Sequence, residues 1–250
     1  MTFTTALITG ASSGLGRGLA LHFAKAGTHV YAAARRKDEL SLLAQEAKAA
    51  GGALTPVVVD VSDADAAFEA LRQLDASSGG FDLVVANAGV GEDTNGRKLD
   101  WKKVRRVLDV NVTGAAATLS AVLPGMVARG KGHVVGISSL AAFRGLPRSA
   151  AYCGSKAFLH TFLESLRVDL AGTPVTVGAI YPGFVKSELT AKNKHPMPFL
   201  METDDAVRRM AKAIEAREKT FAFPWQMSLG VRTLSALPLP LYGLAAKRMR

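Results

Sequence analysis

Tyr152 and Lys156 stand four residues apart and form the pair with the clearest chemical use in this sequence. The surrounding pattern predicts a helix, which places both side chains on one face and close enough to share a site. A phenol with a reference pKa of about 10 is a poor acid or base at neutral pH, but an adjacent ammonium stabilises the phenolate. The pair therefore predicts acid-base chemistry at Tyr152, with Lys156 lowering its pKa.

Two hydroxyl groups precede this pair at a spacing that suits a shared site. Ser138 and Ser139 lie at the end of a predicted strand, about thirteen residues before Tyr152. A strand end can present a hydroxyl to a substrate oxygen, so either serine is a candidate to hold that oxygen beside the tyrosine.

A glycine-rich turn between the first predicted strand and the first predicted helix forms a candidate phosphate cradle. Glycines let the backbone approach a pyrophosphate closely, and the N–H groups at the helix start favour its negative charge. A simple packing turn is the alternative. The residues assigned to the cradle are Gly10, Ser12, Ser13, Gly14, Leu15 and Gly16.

Two arginines follow the second predicted strand, where a dinucleotide fold selects its cofactor. An acidic residue there would bind the ribose 2′-hydroxyl, whereas Arg35 and Arg36 match a 2′-phosphate. The sequence therefore predicts NADP(H) in preference to NAD(H), unless the pair only forms a solvated basic loop.

The third and fourth predicted strands end on residues that suit the adenosine half of such a cofactor. Asp60, followed by Val61, can accept from the adenine amino group, or it can cap the next helix. The small residues Asn87, Ala88 and Gly89 leave room for a flat ring against the backbone, or form a simple turn.

Apolar, β-branched runs alternate with longer segments of helical period along the chain. The runs lack the alternation of a half-exposed sheet, which predicts a Rossmann-type, doubly wound parallel sheet of about seven strands with helices on both faces. The predicted strands are 6–9, 29–33, 54–59, 83–86, 133–138, 175–180 and, more weakly, 220–223. The predicted helices are 14–26, 38–50, 63–76, 101–128, 151–171 and 204–217.

Composition excludes several classes of protein. The 250 residues are 48% hydrophobic and 21% charged, which is typical of a folded core, and no uninterrupted apolar run reaches the length of a membrane span. The net charge of +10 favours anionic partners. One cysteine and five histidines without an i, i+4 pair predict no metal site. Nothing before the first strand resembles a targeting signal, so we expect a cytoplasmic protein.

We expect one dinucleotide-binding domain over residues 1–224, with a substrate lid at 187–203, and a basic, apolar tail at 225–250. Apolar lid residues favour a hydrophobic or bulky carbonyl substrate, or simply pack on the core. The tail has no acidic residue, and either it packs on the core or on a subunit, which we favour, or it binds a membrane surface. Pro238 and Pro240 would break a long helix there.

Taken in order, these motifs resemble the short-chain dehydrogenase/reductase family over about residues 4–224. The family's glycine motif lies at 9–16, its N-A-G at 87–89, its helix asparagine at Asn111, its Y-x-x-x-K at 152–156 and its P-G turn at Pro182 and Gly183. The family's spacing to the tyrosine selects Ser139 over Ser138. Ser187 stands where threonine is common, and Cys153-Gly154 also departs from the usual residues.

The resemblance implies a mechanism and further site residues. Tyr152 passes a proton to or from the substrate oxygen, Ser139 holds that oxygen, and Lys156 also binds the nicotinamide ribose. Asn111 supports a water-borne proton relay to Lys156. The turn that holds the nicotinamide amide is made by Pro182, Gly183, Val185 and Ser187.

The expected function is therefore an NADPH-preferring oxidoreductase that interconverts a carbonyl and an alcohol, working as a homodimer or homotetramer as the family usually does. A catalytically silent dinucleotide-binding scaffold or sensor is the alternative, although the intact tyrosine and lysine argue against it. An epimerase or dehydratase is disfavoured by chain length. Nucleic-acid binding is prompted only by charge, and the basic residues at 102–106 fit the solvated face of a helix better.

Overall fold

The computed structural model describes residues 3–191 and 196–247, and its centre is a parallel sheet. Within these residues the sheet has seven strands in the order β3-β2-β1-β4-β5-β6-β7, and every neighbouring pair is parallel. The predicted doubly wound fold is confirmed. The strands are β1 Thr5–Thr9, β2 His29–Ala34, β3 Leu54–Val58, β4 Leu83–Ala86, β5 Gly132–Ile137, β6 Val175–Pro182 and β7 Thr220–Phe223.

The strand order reverses between β1 and β4. Both strands are buried and pair through registers such as Ile8 with Val85, so their carboxyl ends form adjacent parts of one edge. In a doubly wound sheet this reversal opens a crevice beyond the carboxyl ends of the strands, which is where ligands bind.

Helices cover both faces of the sheet and form two cores. One core includes Leu19, Leu40 and Met210, and the other includes Leu119 and Leu163. Within the described residues the helices are α1 Gly14–Lys25, α2 Lys37–Ala49, α3 Ala64–Ser77, α4 Trp101–Leu108, α5 Ala115–Arg129, α6 Ala150–Asp169, α7 Glu188–Ala191, α8 Thr203–Glu215, α9 Trp225–Ala236 and α10 Leu239–Lys247.

The predicted single helix over 101–128 differs from the structure at its centre. The α-helical pattern is interrupted by a π-helical segment, Asp109–Gly114, between α4 and α5. At its end a Cβ on Gly114 would lie 2.4 Å from the Val61 carbonyl oxygen, so the helix approaches the chain after β3 at backbone distance. The apolar pattern continues through the interruption, which is why the sequence showed only one helix.

The same continuous stretch, Trp101–Arg129, is long and apolar enough to cross a membrane by length and composition, because it contains an 18-residue window with a mean hydropathy of 1.4. Half of that window is buried inside the protein. Long core helices of folded proteins meet the same criteria, so the observation is weak evidence for a span. Here α5 packs against α3 and β5.

The described part of the tail forms two helices, α9 and α10, for which no helix was predicted. The break between them lies at Leu237 and Pro238, so Pro238 interrupts the helix as expected, whereas Pro240 lies in the first turn of α10. The last basic residues of the predicted tail, Arg248 and Arg250, lie outside the described residues.

Candidate active site

Tyr152 and Lys156 lie near the start of α6. The Lys156 side chain is buried, and its Nζ donates to the Ile137 carbonyl oxygen at 2.8 Å. That nitrogen is 5.8 Å from the centroid of the Tyr152 ring. Burial lowers the pKa of Lys156 to about 8, so the ammonium is close to titrating in the physiological range.

The expected lowering of the Tyr152 pKa by Lys156 is not seen in this structure. Burial raises the pKa of Tyr152 above its ordinary value, against a hydrogen bond with Ser139 that lowers it. The physical reason is that desolvation of the phenolate dominates while the Lys156 ammonium is directed to the Ile137 carbonyl. The phenol is therefore held protonated, as a proton donor requires.

The two candidate serines have different surroundings. Ser138 is buried, and its Oγ donates to the Lys156 backbone carbonyl at 2.9 Å, which fixes β5 to α6. Ser139 instead hydrogen-bonds with the Tyr152 side chain, accepts from the Ala141 N–H at 3.1 Å and reaches the Pro182 carbonyl at 3.4 Å. Geometry thus places Ser139, and not Ser138, beside the phenol.

Asn111 lies within the π-helical segment and is buried. Its Oδ1 accepts from the Val90 N–H at 2.8 Å, while its Nδ2 donates to the Val90 carbonyl at 2.9 Å and to Ser155 Oγ at 3.0 Å. The side chain thereby holds the loop after β4 against α6. A Cβ on Gly89 would lie 3.4 Å from Lys156 Nζ and 3.5 Å from Asn111 Oδ1, so these groups converge on one point. Local π-helical turns are frequent at functional sites.

The glycine-rich loop joins β1 to α1 and fits a phosphate cradle. Gly10 has φ of +68° and Gly14 has φ of +54°, conformations that favour glycine. A Cβ on Gly16 would lie 2.3 Å from Asn87 Nδ2 and 2.4 Å from the Gly10 carbonyl, so the backbone has no room for a side chain there. Ser12 and Ser13 lie in this turn, and Leu15 packs against the core.

A brace between β1 and β4 holds this loop in place. Thr9 Oγ1 accepts from the N–H groups of Asn87 at 3.1 Å and Ala88 at 3.2 Å, and Asn87 Nδ2 donates to the Thr9 carbonyl at 2.9 Å. The Asn87 side chain is therefore engaged in positioning the loop. The small residues Ala88 and Gly89 follow it, at the position where a flat ring of the cofactor was expected to lie against the backbone.

Arg35 and Arg36 follow the carboxyl end of β2, as expected; Arg36 faces the glycine loop and the lid, and Arg35 faces Asp60. Arg36 Nε donates to Ser12 Oγ at 3.1 Å, and its Nη1 is 3.0 Å from Glu188 Oε1 at the start of α7. Arg35 Nη1 lies 3.7 Å from Asp60 Oδ2. Two guanidinium groups and a serine hydroxyl thus line the place predicted for a 2′-phosphate.

Asp60 forms a local turn and does not cap α3. Its Oδ1 accepts from the N–H and the hydroxyl of Ser62 at 3.0 and 2.7 Å, while Asp63 caps the helix by accepting from the Ala66 N–H. Burial acts to raise the pKa of Asp60, but the Ser62 hydrogen bonds and Arg35 outweigh it and lower that pKa. Val61, beside it, is buried.

The chain after β6 runs back toward the glycine loop. Gly183 donates its N–H to the Phe223 carbonyl at 2.7 Å, and Val185 is buried and bridges to Met201. The Ser187 N–H donates to Thr190 Oγ1 at 3.0 Å, and a Cβ on Gly14 would lie 3.4 Å from Ser187 Cβ. The root of the predicted lid therefore touches the cradle. Residues 192–195 of the lid lie outside the described residues.

Two residues near the site were missed by the sequence analysis. A Cβ on Gly91 would lie 3.1 Å from the Leu189 side chain and 3.9 Å from the Tyr152 ring, so the absence of a side chain at Gly91 leaves room for Leu189 beside the phenol. Glu188 pairs with Arg36 across 152 positions. A second glycine after the N-A-G motif was a visible signal for Gly91, but nothing local marks Glu188.

Cys153 is buried near the start of α6, next to Tyr152. Burial raises the pKa of the Cys153 thiol, and its Sγ accepts from the Leu146 N–H at 3.3 Å, as expected for a packed, unreactive cysteine. Among the described residues, no group of three or more His, Cys, Asp or Glu side chains could hold a metal ion.

The seven-stranded parallel sheet and its crevice define a Rossmann-like fold, with Tyr152 and Lys156 near the start of the helix that follows β5. The family model described as short chain dehydrogenase matches residues 4–198. The chain belongs to the short-chain dehydrogenase/reductase family and is an oxidoreductase of that family.

Relatives and solved structures agree with this assignment. An uncharacterized oxidoreductase of Myxococcus xanthus is 61% identical over all of this chain and 99% of its own length. A protein from Beutenbergia cavernae described as an NAD(P)-dependent gluconate 5-dehydrogenase, solved with NADP bound at low occupancy, is 30% identical with a TM-score of 0.79, over 87% of this chain and 94% of its own. A short-chain dehydrogenase from Sphingobium yanoikuyae in complex with NADPH is 27% identical with a TM-score of 0.80, over 94% and 96%.

Proposed function

We propose that this protein is an NADPH-preferring carbonyl reductase, or an alcohol dehydrogenase in the reverse direction. The observation that carries the proposal is the convergence of the Tyr152 phenol, the Ser139 hydroxyl and the Lys156 ammonium beside Gly89 and Gly91 in the loop after β4. This arrangement supplies an acid, an oxygen-holding donor and a buried cation within one crevice.

NADPH, when bound, supplies the hydride, and this chain supplies position and electrostatics. We assign the pyrophosphate to the loop from Gly10 to Gly16 and the 2′-phosphate to Ser12, Arg35 and Arg36. Asp60, Val61 and the residues Asn87, Ala88 and Gly89 are assigned to the adenosine half. The nicotinamide half is assigned to Lys156, Pro182, Gly183, Val185 and Ser187.

The proton step belongs to the protein side chains. In carbonyl reduction, Ser139 donates a hydrogen bond to the substrate oxygen while the Tyr152 phenol gives that oxygen its proton. The charge on Lys156 then stabilises the phenolate that remains. Asn111 acts as a positioning residue, since its side chain fixes Val90 and Ser155 around this centre.

The apolar side chains of the lid favour an apolar substrate. Leu189 lies against Gly91 next to the Tyr152 ring, and Phe199 and Leu200 in the same segment are exposed. An apolar wall beside the phenol favours a hydrophobic or bulky carbonyl compound over a small sugar.

A substrate panel tests the proposal. The reduced cofactor is followed by absorbance with aldehydes and ketones from sugar-sized to steroid-sized and acyl-chain compounds, each with NADPH and with NADH. Turnover of at least one carbonyl with NADPH, at higher kcat/KM than with NADH, supports the proposal. Cofactor binding without turnover of any compound in the panel would instead favour the alternative, a silent dinucleotide-binding scaffold or sensor.

We further propose that the protein is a homo-oligomer that uses α5 and α6. Val127 and Val168 on these helices are 43% and 71% exposed, and Leu123, Pro124 and Leu170 line an apolar groove between them. Burial of such surface favours association. Sedimentation of wild type and Val168→Glu gives the test: a dimer or tetramer that the substitution dissociates is expected, and a monomeric wild type contradicts the proposal.

A further inference from the structure

The two tail helices attach to the loop that follows Ser139 by one face only. Met227 and Val231 pack against the core, and Ser228 is buried. Arg144 donates to the carbonyl groups of Ser235 at 3.4 Å and Leu237 at 3.2 Å. This face of α9 is therefore held against the body of the protein.

The second tail helix is attached through the same arginine. The Arg144 guanidinium lies 4.2 Å above the ring centroid of Tyr242, whose hydroxyl donates to the Gly145 carbonyl. A cation over an aromatic ring is an attractive arrangement. Both helices are thus clamped to one loop, and their other side is left facing outward.

The outward side of the described part of the tail has large hydrophobic side chains among a few exposed polar ones, such as Gln226 and Thr233. Each of these large hydrophobic side chains has more than half of its surface exposed. Exposed apolar residues on a folded protein are usually scattered singly, so a group of five within one segment calls for an explanation. These residues are Trp225 at 69%, Leu229 at 60%, Leu239 at 75%, Leu241 at 53% and Leu244 at 61%. Contacts among residues 3–191 and 196–247 do not cover these side chains.

The charges of the tail indicate what covers it. Residues 225–250 include no Asp or Glu, and their charged residues are Arg232, Lys247, Arg248 and Arg250. A second copy of this acid-free segment would bring two net positive charges together, which opposes association. A surface with anionic headgroups attracts them and accepts the leucine side chains below the headgroup level.

We propose that the outward face of the tail, formed by Trp225, Leu229, Leu239, Leu241 and Leu244, binds peripherally to a membrane surface rich in anionic lipid. Tryptophan favours the boundary between headgroups and acyl chains, because its apolar ring can lie against the acyl chains while its N–H donates to the polar headgroup region. The break at Pro238 keeps both helices too short to span a bilayer. The tail therefore packs on the protein with one face and docks with the other.

Co-sedimentation of the full chain with vesicles tests this docking. The vesicles contain phosphatidylcholine alone or mixed with phosphatidylglycerol, at low and high salt. Wild type should sediment with the mixed vesicles at low salt and less at high salt, because the electrostatic part is screened. The double variant Leu229→Ser with Leu244→Ser should bind about tenfold more weakly, as two inserted side chains are lost.

Matched controls separate this face from general hydrophobicity and charge. Leu42→Ser with Leu99→Ser removes two leucines that are 58% and 59% exposed elsewhere, and it should bind within about twofold of wild type. Arg248→Gln with Arg250→Gln should weaken binding more than Lys102→Gln with Lys103→Gln does. Circular dichroism melting confirms that each variant is folded.

Three results would overturn the proposal. Wild type that stays in the supernatant with mixed vesicles at low salt shows that the face does not bind lipid. A tail double variant that sediments as well as wild type shows that other residues bind. A lipid-free oligomer that the tail double variant dissociates shows that a second copy covers the face instead.

Discussion

Replacing Arg36 by glutamine should shift cofactor preference by an amount that the structure bounds. A charge-assisted contact between a guanidinium and a phosphate contributes about 1.5–3 kcal/mol. To make this contact, Arg36 gives up its ion pair with Glu188. Because the Arg36 and Glu188 side chains are 43% and 66% exposed, losing that pair costs under about 1 kcal/mol. A net of about 1–2 kcal/mol corresponds to a rise of about five- to thirtyfold in the Kd of NADPH.

The partner carboxylate should act in the opposite direction. Glu188 competes with a 2′-phosphate for Arg36, so Glu188→Gln should tighten NADPH binding by up to about fivefold at low ionic strength and less at high salt. The Kd of NADH should stay within about twofold for both variants, because NADH has no 2′-phosphate.

Fluorescence titration of both cofactors measures these effects. Arg72→Gln is the control, since Arg72 is an exposed, paired arginine on α3. Equal affinity of the wild type for NADPH and NADH, or an Arg36→Gln variant with unchanged NADPH affinity, would refute the assignment of Arg36 to the 2′-phosphate. The double variant Arg36→Gln with Glu188→Gln should show no gain from the second change.

Further expectations concern pH, stability and the serines. Because burial lowers the pKa of Lys156 to about 8, kcat/KM for carbonyl reduction should fall as pH rises through about 8; a flat profile contradicts this. Burial lowers the pKa of His133 to about 4 in the folded protein, so as the pH falls the unfolded chain binds this proton before the folded protein does. The free energy of unfolding should therefore fall by up to about 3 kcal/mol between pH 6.5 and pH 4. Urea unfolding of His133→Leu should lack that slope; an unchanged slope contradicts the assignment. Ser139→Ala should lower kcat about ten- to a hundredfold, whereas Ser138→Ala should lower stability by about 1 kcal/mol and largely spare kcat; the reverse order would contradict their assigned roles.

Most of the sheet was predictable because its central strands are buried on both faces, whereas β3 and β7 at its edges are partly exposed. β4 and β7 have the predicted bounds, and β1, at Thr5–Thr9, begins one residue earlier than predicted. Continuous apolar runs mark such strands regardless of their neighbours. Helix ends differed by one residue for α1 and α2, where no side-chain capping hydrogen bond forms.

The remaining features depend on contacts between distant parts of the chain. The π-helical segment around Asn111 accompanies the close approach of Gly114 to Val61, which no local pattern reveals. The pairing of Arg36 with Glu188 and the raised pKa of Tyr152 likewise arise from packing. The motif residues were identifiable from spacing, but their hydrogen-bond partners were not.

The most direct test of the account is the turnover of Tyr152→Phe on a confirmed carbonyl substrate, measured together with its affinity for NADPH. The substitution removes only the hydroxyl, so the ring still fills the space beside Lys156 and Gly91. With Tyr152 as the proton donor, kcat should fall about a hundred- to ten-thousandfold while the Kd of NADPH stays within about threefold. A variant that binds NADPH normally and keeps more than about a tenth of wild-type turnover would contradict the proposed role of Tyr152.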